Sequence, residues 1–351
     1  MTRLLIVDDS PLMRRLLTGI FEAAGDFDVE VARTGEEAID KARAFAPDVI
    51  TLDINMPGMD GLACLDRIML ERPCPVVMLS SLTEEGADET LEAMALGAVD
   101  FVAKPRGAIS LEIEAMAPEL ADKVRAAARA RVSRTARLTE RVRLATAKAR
   151  PAAEPRTPIK PRDPGLVLVG VSTGGPPALD ALLAPLPADF PWPIVIAQHM
   201  PASFTGPLAR RLDRLCALTV EEVAKPAPLR PGHVYIARGD ADLLISRRAG
   251  ALAAVPAPAG EALWHPSVDR LVASAMQHVA PEVLIGVLMT GMGADGAATM
   301  TELKARGGHA IAQSEESAVV WGMPGALVAA GGASEVVPLD SIAGALLARL
   351  A

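Results

Sequence analysis

A serine, Ser172, sits where an apolar run gives way to glycines, in "VLVGVSTGGPPAL", Val167 to Leu179. Leu166 to Val171 reads as a strand and Ala178 to Leu183 as a helix, so the hydroxyl falls on a strand-to-helix turn. Such a turn aims backbone amides and a hydroxyl at one point, which suits either a nucleophile or a phosphate cradle. No lysine follows the glycines, and the spacing of Gly170, Gly174 and Gly175 misses the dinucleotide fingerprint. A nest for some other anion stays open. A nucleophilic serine needs a base and a group that orients the base. Of the five histidines, only His199 directly follows an apolar run, in "PIVIAQHMP", which places it on the same strand-end edge as Ser172. A third strand, Val283 to Met289, runs into a glycine turn carrying Asp295, in "VLIGVLMTGMGADGA". Alone, Asp295 reads as a cap or first-turn charge for the helix that follows. With the other two it reads as the orienter in a nucleophile, base and carboxylate set. The chain order Ser, His, Asp differs from that of α/β-hydrolases, and "GVSTGG" is not G-x-S-x-G. Amides near Met292 and at Thr173 are candidates for an oxyanion hole.

A second constellation lies in the first 105 residues. Asp8 and Asp9 follow one apolar run, Asp53 follows another in "LDINMPGMDGL", Ser80 ends "VVMLSS", and Lys104 ends "FVAKP". If those runs are parallel strands, their ends share one edge and the five side chains converge. Crowded carboxylates suit a hard cation such as Mg²⁺, which keeps waters for a phosphate. Lys104 balances added negative charge, Ser80 can bond a phosphoryl oxygen, and Asp53 can act as nucleophile towards a phosphoryl group. Each acid taken singly reads as a cap or loop residue. Five such positions at the strand ends of one series favour a common site.

The elements that must position these residues follow two βα series. The first has strands near Leu4–Val7, Val29–Ala32, Val49–Leu52, Val76–Leu79 and Ala98–Val102, with helix-like stretches between. That rhythm predicts an α/β fold, a doubly wound parallel five-stranded sheet. Residues 111–149 look helical, and five prolines between Pro151 and Pro164 mark an extended linker. The second series predicts strands at Leu166–Val171, Ile194–Ala197, Val234–Ala237, Leu243–Ser246, Val283–Met289, Ala310–Ala312 and Glu335–Val337. Longer helices are expected at Ser203–Leu215, Ser267–Val279 and Gly293–Arg306. The result is a mostly parallel α/β sheet, with a small antiparallel meander between Thr219 and Val255. The expected domains are residues 1–120, a basic helical and Pro-rich connector over 121–164, and residues 165–351.

The chain has 351 residues, half of them hydrophobic, enough for two cores. No apolar run is long enough for a secretory leader or a bilayer span, so a soluble, cytoplasmic protein without membrane insertion is expected. Cys64, Cys74 and Cys216 lack metal-ligand spacing and read as reduced, structural thiols. Net charge is −8, yet Lys123 to Arg162 carries +11. That basic stretch contains no aromatic residue for stacking on bases, so nucleic acid is not an expected partner.

Residues 1 to about 120 resemble the receiver domain of two-component response regulators, on Asp8, Asp9, Asp53, Ser80, Phe101, and Lys104 followed by Pro105. The resemblance implies phosphorylation of Asp53 by a partner histidine kinase, with Mg²⁺ on Asp9, Asp53 and the Asn55 carbonyl, beside Asp8. It makes Ser80, Phe101 and Lys104 the switch residues. "GVSTGG", "QHMP", "PGHVYIA", "HPSVD", "TGMGADGA" and "WGMPGAL" resemble the catalytic domain of chemotaxis protein-glutamate methylesterases. That likeness implies a Ser172, His199, Asp295 triad that hydrolyses γ-glutamyl methyl esters of methyl-accepting chemoreceptors and deamidates receptor glutamines, in a monomer, without a cofactor for the esterase chemistry. Trp264 and Trp321 stand where it leads one to expect Arg and Phe. The alternative is a response regulator whose second domain only binds a partner or an anion.

Overall fold

The structure is a computed structural model that describes residues 1–104, 109–130, 164–248 and 250–350. Pro105 and most of the expected basic, Pro-rich connector lie outside the described residues. The chain divides into two compact units, Met1–Arg150 and Pro151–Ala351.

The first unit carries strands β1 (Thr2–Val7), β2 (Phe27–Ala32), β3 (Val49–Asp53), β4 (Val76–Ser80) and β5 (Asp100–Ala103), in the order β2-β1-β3-β4-β5. All neighbours are parallel. β3 and β4 are buried at every position, as expected of strands covered on both faces. The helix Pro11–Ala24 starts because Ser10 accepts a hydrogen bond from the Met13 amide and proline opens the first turn; it ends at left-handed Gly25. The chain moves outward in opposite directions from β1 and β3. Their carboxyl ends therefore open a crevice, and Asp8, Asp9 and Asp53 sit in it.

The second unit adds β6 (Leu166–Val171), β7 (Ile194–Gln198), β8 (Thr219–Val223), β9 (Ala227–Pro228), β10 (His233–Ala237), β11 (Ala241–Arg248), β12 (Ala251–Pro258), β13 (Leu284–Leu288), β14 (His309–Gln313) and β15 (Glu335–Val337). Seven of them form a parallel sheet, β15-β14-β13-β6-β7-β10-β8. β11, β12 and β9 form the antiparallel meander. The expected meander is therefore present but shorter: Thr219–Val223 joins the edge of the parallel sheet instead. The expected strands at Leu166–Val171 and Glu335–Val337 match, and the others differ by a residue or two at their ends. Two helices are shorter than expected. The one after Ser267 spans Val268–Met276, leaving His278 beyond its end. The one after Asp295 spans Ala297–Ala305, because Gly293 and Gly296 are left-handed and keep residues 293–296 in a turn.

β13, β6 and β7 are the adjacent central strands, each buried at every position. Leu166, Leu168, Val195, Leu284 and Leu288 fill the core that fixes them. β6 and β7 lead directly to Ser172 and His199, and β13 leads into the glycine turn that carries Asp295.

Candidate active site

Ser172 is the first residue past β6, and its backbone is tied on two sides. Its amide donates to Thr290 O at 2.9 Å, beyond the end of β13. Its carbonyl accepts from Gly175 N at 2.8 Å and Gln198 Nε2 at 3.0 Å. Gly174 has φ 75°, and a side chain there would also press on Val319. His199 continues the β6–β7 ladder, donating its amide to Val171 O at 3.1 Å. Its side chain is 4 % exposed, with Nε2 2.8 Å from Asp295 Oδ2 and Nδ1 without a hydrogen-bond partner among the described residues. The Trp264 ring stacks on the imidazole at 6.0 Å and 12°.

Asp295 does not cap the helix that follows it. That helix, Ala297–Ala305, has Gly296 as its N-cap and no side-chain cap. The carboxylate instead sits on the N-terminus of helix Val268–Met276. Oδ2 accepts from Val268 N at 2.7 Å, and Oδ1 from Asp269 N at 3.0 Å and Ser267 Oγ at 3.2 Å. Burial pushes the Asp295 carboxyl up, but the His199 hydrogen bond and the Asp269 and Val268 amides outweigh it and hold it below the usual carboxylate range. An ionised carboxylate can only accept, so Nε2 carries the imidazole proton and Nδ1 presents a lone pair.

Sequence reasoning missed the group beneath this site. Asp242 is fully buried at the start of β11. It accepts from His265 Nδ1 at 2.9 Å, Ser267 N at 2.7 Å, Gly260 N at 3.0 Å, and the Arg270 guanidinium. These donors outweigh burial and keep its carboxyl below the ordinary range. Asp242 thus fixes the loop that carries Trp264 and the helix start that Asp295 caps. The glycine turn backs directly onto the serine: a Cβ on Gly291 would lie 2.7 Å from Ser172 Cβ. Gly291 O accepts from Gly322 and Met323, while Trp321 Nε1 donates to Gln313 O at 3.1 Å. Met292 is half-buried on this turn, and the buried Thr173 passes its carbonyl to Thr290 Oγ1 at 2.9 Å.

In the first unit, carboxylate oxygens of Asp8, Asp9 and Asp53 lie within 4.8 Å of one another. Lys104 Nζ bridges Asp8 Oδ2 at 2.9 Å and Asp53 Oδ2 at 2.7 Å. Burial, with Asp8 alongside, raises the Asp53 carboxyl despite Lys104. The Asn55 amide donates to Asp53 Oδ1 at 3.3 Å. Ser80 ends β4 as expected, but its hydroxyl is engaged elsewhere. It donates to Gly86 O at 3.0 Å and accepts from Thr90 Oγ1 at 2.6 Å. Phe101 is buried at β5. Burial pushes the Cys64 and Cys74 thiols up to about 12, as suits unreactive core cysteines. Among the described residues no helix is long and apolar enough to cross a membrane.

Residues 167–346 match the family model for CheB methylesterase, and residues 4–114 that for the response regulator receiver domain. The chain is 56 % identical to protein-glutamate methylesterase/protein-glutamine glutaminase 2 of Rhodopseudomonas palustris, over 99 % of this chain and 98 % of that one. It is 56 % identical to protein-glutamate methylesterase/protein-glutamine glutaminase 3 of Rhodospirillum rubrum, over 99 % of this chain and 95 % of that one. The crystal structure of the Thermotoga maritima CheB methylesterase catalytic domain superposes with a TM-score of 0.51 at 37 % identity, covering 53 % of this chain and 98 % of that one. Strand-end chemistry, sheet order and kinship agree, and the chain belongs to the CheB methylesterase family, with a response regulator receiver domain at its N-terminal end.

Proposed function

We propose that the second unit hydrolyses γ-glutamyl methyl esters of chemoreceptors, and deamidates receptor glutamines, through Ser172, His199 and Asp295. The observation that carries this reading is the 2.8 Å His199–Asp295 pair, His199 just past β7 and Asp295 in the turn after β13, the two strands that flank β6 and Ser172, in a chain of this family. His199 Nδ1 accepts the Ser172 proton as Oγ attacks the ester carbonyl. The ester C–O bond, or the C–N bond of a glutamine side chain, then breaks, and the same proton leaves on methanol or on ammonia. Water, deprotonated by His199, releases glutamate and restores the serine. Asp295 stabilises the imidazolium formed in both halves. Amides at Met292 and Thr173 are the candidate donors to the tetrahedral oxyanion; that of Met292 donates to no other group among the described residues.

The receiver controls this activity through Asp53. Three carboxylates against one ammonium leave a net negative cluster that fits a divalent cation. Asp8, Asp9 and Asp53, with the Asn55 carbonyl, would hold Mg²⁺. The ion would neutralise charge between the carboxylate and an incoming phosphoryl group. Asp53 takes the phosphoryl from a histidine kinase, Lys104 offsets the added charge, and Ser80 and Phe101 respond. The domain limits are residues 1–120 and 165–351. Methanol release from methylated receptor, compared between the full chain and Ser172→Ala, tests the esterase reading: equal rates overturn it.

A further inference from the structure

Gln198 is the last residue of β7 and is 2 % exposed. Its Nε2 donates to two carbonyls at once, Ser172 O at 3.0 Å and His199 O at 3.0 Å. Only the NH₂ end of the amide can face two carbonyl oxygens, so the orientation follows from its partners. Gln198 Oε1 is buried and has no hydrogen-bond partner among the described residues. It lies against Gly175, where a Cβ would sit 1.8 Å from it. An unpartnered buried acceptor is costly, and its retention calls for a reason.

We propose that Gln198 is a positioning residue for the esterase: its amide locks the backbone of the nucleophile to the backbone of the base, and Gly175 is glycine in order to admit it. This rests on the reading of Ser172 and His199 as nucleophile and base. With Gly175 N as its second donor, Ser172 O has both lone pairs engaged, so the peptide plane between Ser172 and Thr173 cannot swing. His199 is held on both sides, by its own amide to Val171 O and by its carbonyl to Gln198. The Ser172 hydroxyl and His199 Nδ1 form no hydrogen bond to each other in this structure, so their approach depends on the backbones that carry them. Small displacements of that kind cost rate rather than substrate affinity.

The test compares Gln198→Ala, Gly175→Ala and the double variant in the full chain, with Ser172→Ala as control. Each is measured for kcat and KM of methanol release per folded protein, and for thermal midpoint. Gln198→Ala is expected to lower kcat about 10²-fold with KM within about twofold. Gly175→Ala should lower kcat similarly, since its Cβ displaces the Gln198 amide. The double variant should be no slower than Gln198→Ala, because the collision is gone. Gln198→Met keeps the volume without the donor and should also be slow, which serves if the alanine variant fails to fold. If the folded Gln198 variants run within about twofold of wild type while Ser172→Ala is inactive, the positioning role is wrong and the triad stands. If the two alanine effects simply multiply, Gly175 is not there for Gln198. If Ser172→Ala remains active, both readings fall.

Discussion

His199 and Asp295 are 96 residues apart in sequence, yet Nε2 and Oδ2 lie 2.8 Å apart. The same Asp295 oxygen also holds the Val268 amide at 2.7 Å. Orientation of the base and capping of a neighbouring helix therefore use one carboxylate. Asp295→Asn is expected to lower kcat about 10⁴-fold, because the amide can hold the imidazole in the wrong tautomer. The thermal midpoint should fall as well, since one amide oxygen cannot replace two carboxylate oxygens facing four donors. A silent rate with a lowered midpoint would leave Asp295 as a cap alone.

Ser172→Ala should separate rate from stability. The serine is half-buried, and the hydrogen bonds that fix it use its backbone, which alanine keeps. Methanol release is expected to drop about 10⁴-fold or more. The unfolding free energy should move by no more than about 0.5 kcal/mol. Urea melts alongside initial rates check both parts.

Much of this site was legible because most of its reactive residues fall directly after an apolar run, and parallel strands put those positions on one edge. Ser172, His199, Asp53 and Lys104 could be placed that way. The helix that Asp295 caps could not. Its helix start at Ser267–Asp269 is 28 residues or fewer away, but glycine conformation rather than hydrophobic pattern decides which helix it meets. Gln198 lies one residue beyond the expected strand Ile194–Ala197, and nothing in its neighbours signals that its amide turns back to the Ser172 and His199 carbonyls. Thr219–Val223 gives little strand signal of its own, because at the sheet edge it buries only Val220 and Val223 and carries two glutamates. Ala251–Pro258 is alanine- and proline-rich, with little intrinsic strand preference, and owes its form to pairing along β11.

Trp264 covers one face of the His199 ring and is itself half-buried. Aromatic stacking of this kind is worth about 0.5–1.5 kcal/mol. Trp264→Ala should accordingly slow methanol release by roughly twofold to tenfold, and Trp264→Phe should recover most of the loss. Rates unchanged in the alanine variant would show that Asp295 and the backbone suffice to hold the imidazole.

Asp242→Asn should reveal a pH-dependent part of the stability. The folded carboxyl titrates below its ordinary value because His265, two amides and Arg270 outweigh its burial. A depressed folded value means the contribution is complete above the unfolded value, near pH 4, and is lost as pH falls through the lower folded one. Breaking a buried set of this kind costs about 3 kcal/mol or more. The gap between wild type and variant, taken from denaturant melts, should be constant from about pH 7 to pH 5 and should narrow only below about pH 4. A gap that narrowed near neutrality would show that the Asp242 carboxyl does not set this dependence.

Phosphorylation of Asp53 should raise the esterase rate through Ser80. In this structure the Ser80 hydroxyl is held by Gly86 O and Thr90 Oγ1, on the side of the helix Glu84–Ala95. A phosphoryl group on Asp53 offers a stronger, charged acceptor, and turning to it would free that helix from one of its ties to β4. A tenfold stimulation corresponds to about 1.4 kcal/mol of bias between two states, which a charge-assisted hydrogen bond of this kind can supply. A small-molecule phosphodonor with Mg²⁺ should therefore increase initial methanol release by the full chain. Chelation of the metal before the donor is added should remove the increase. Asp53→Asn should lose both phosphoryl incorporation and stimulation. Ser80→Ala is the discriminating variant: it should still take up phosphate, because Asp53, Asp9 and Lys104 remain, but its rate should respond weakly. A full response from Ser80→Ala would show that the signal leaves Asp53 by another route, with Phe101 and Lys104 the next residues to vary.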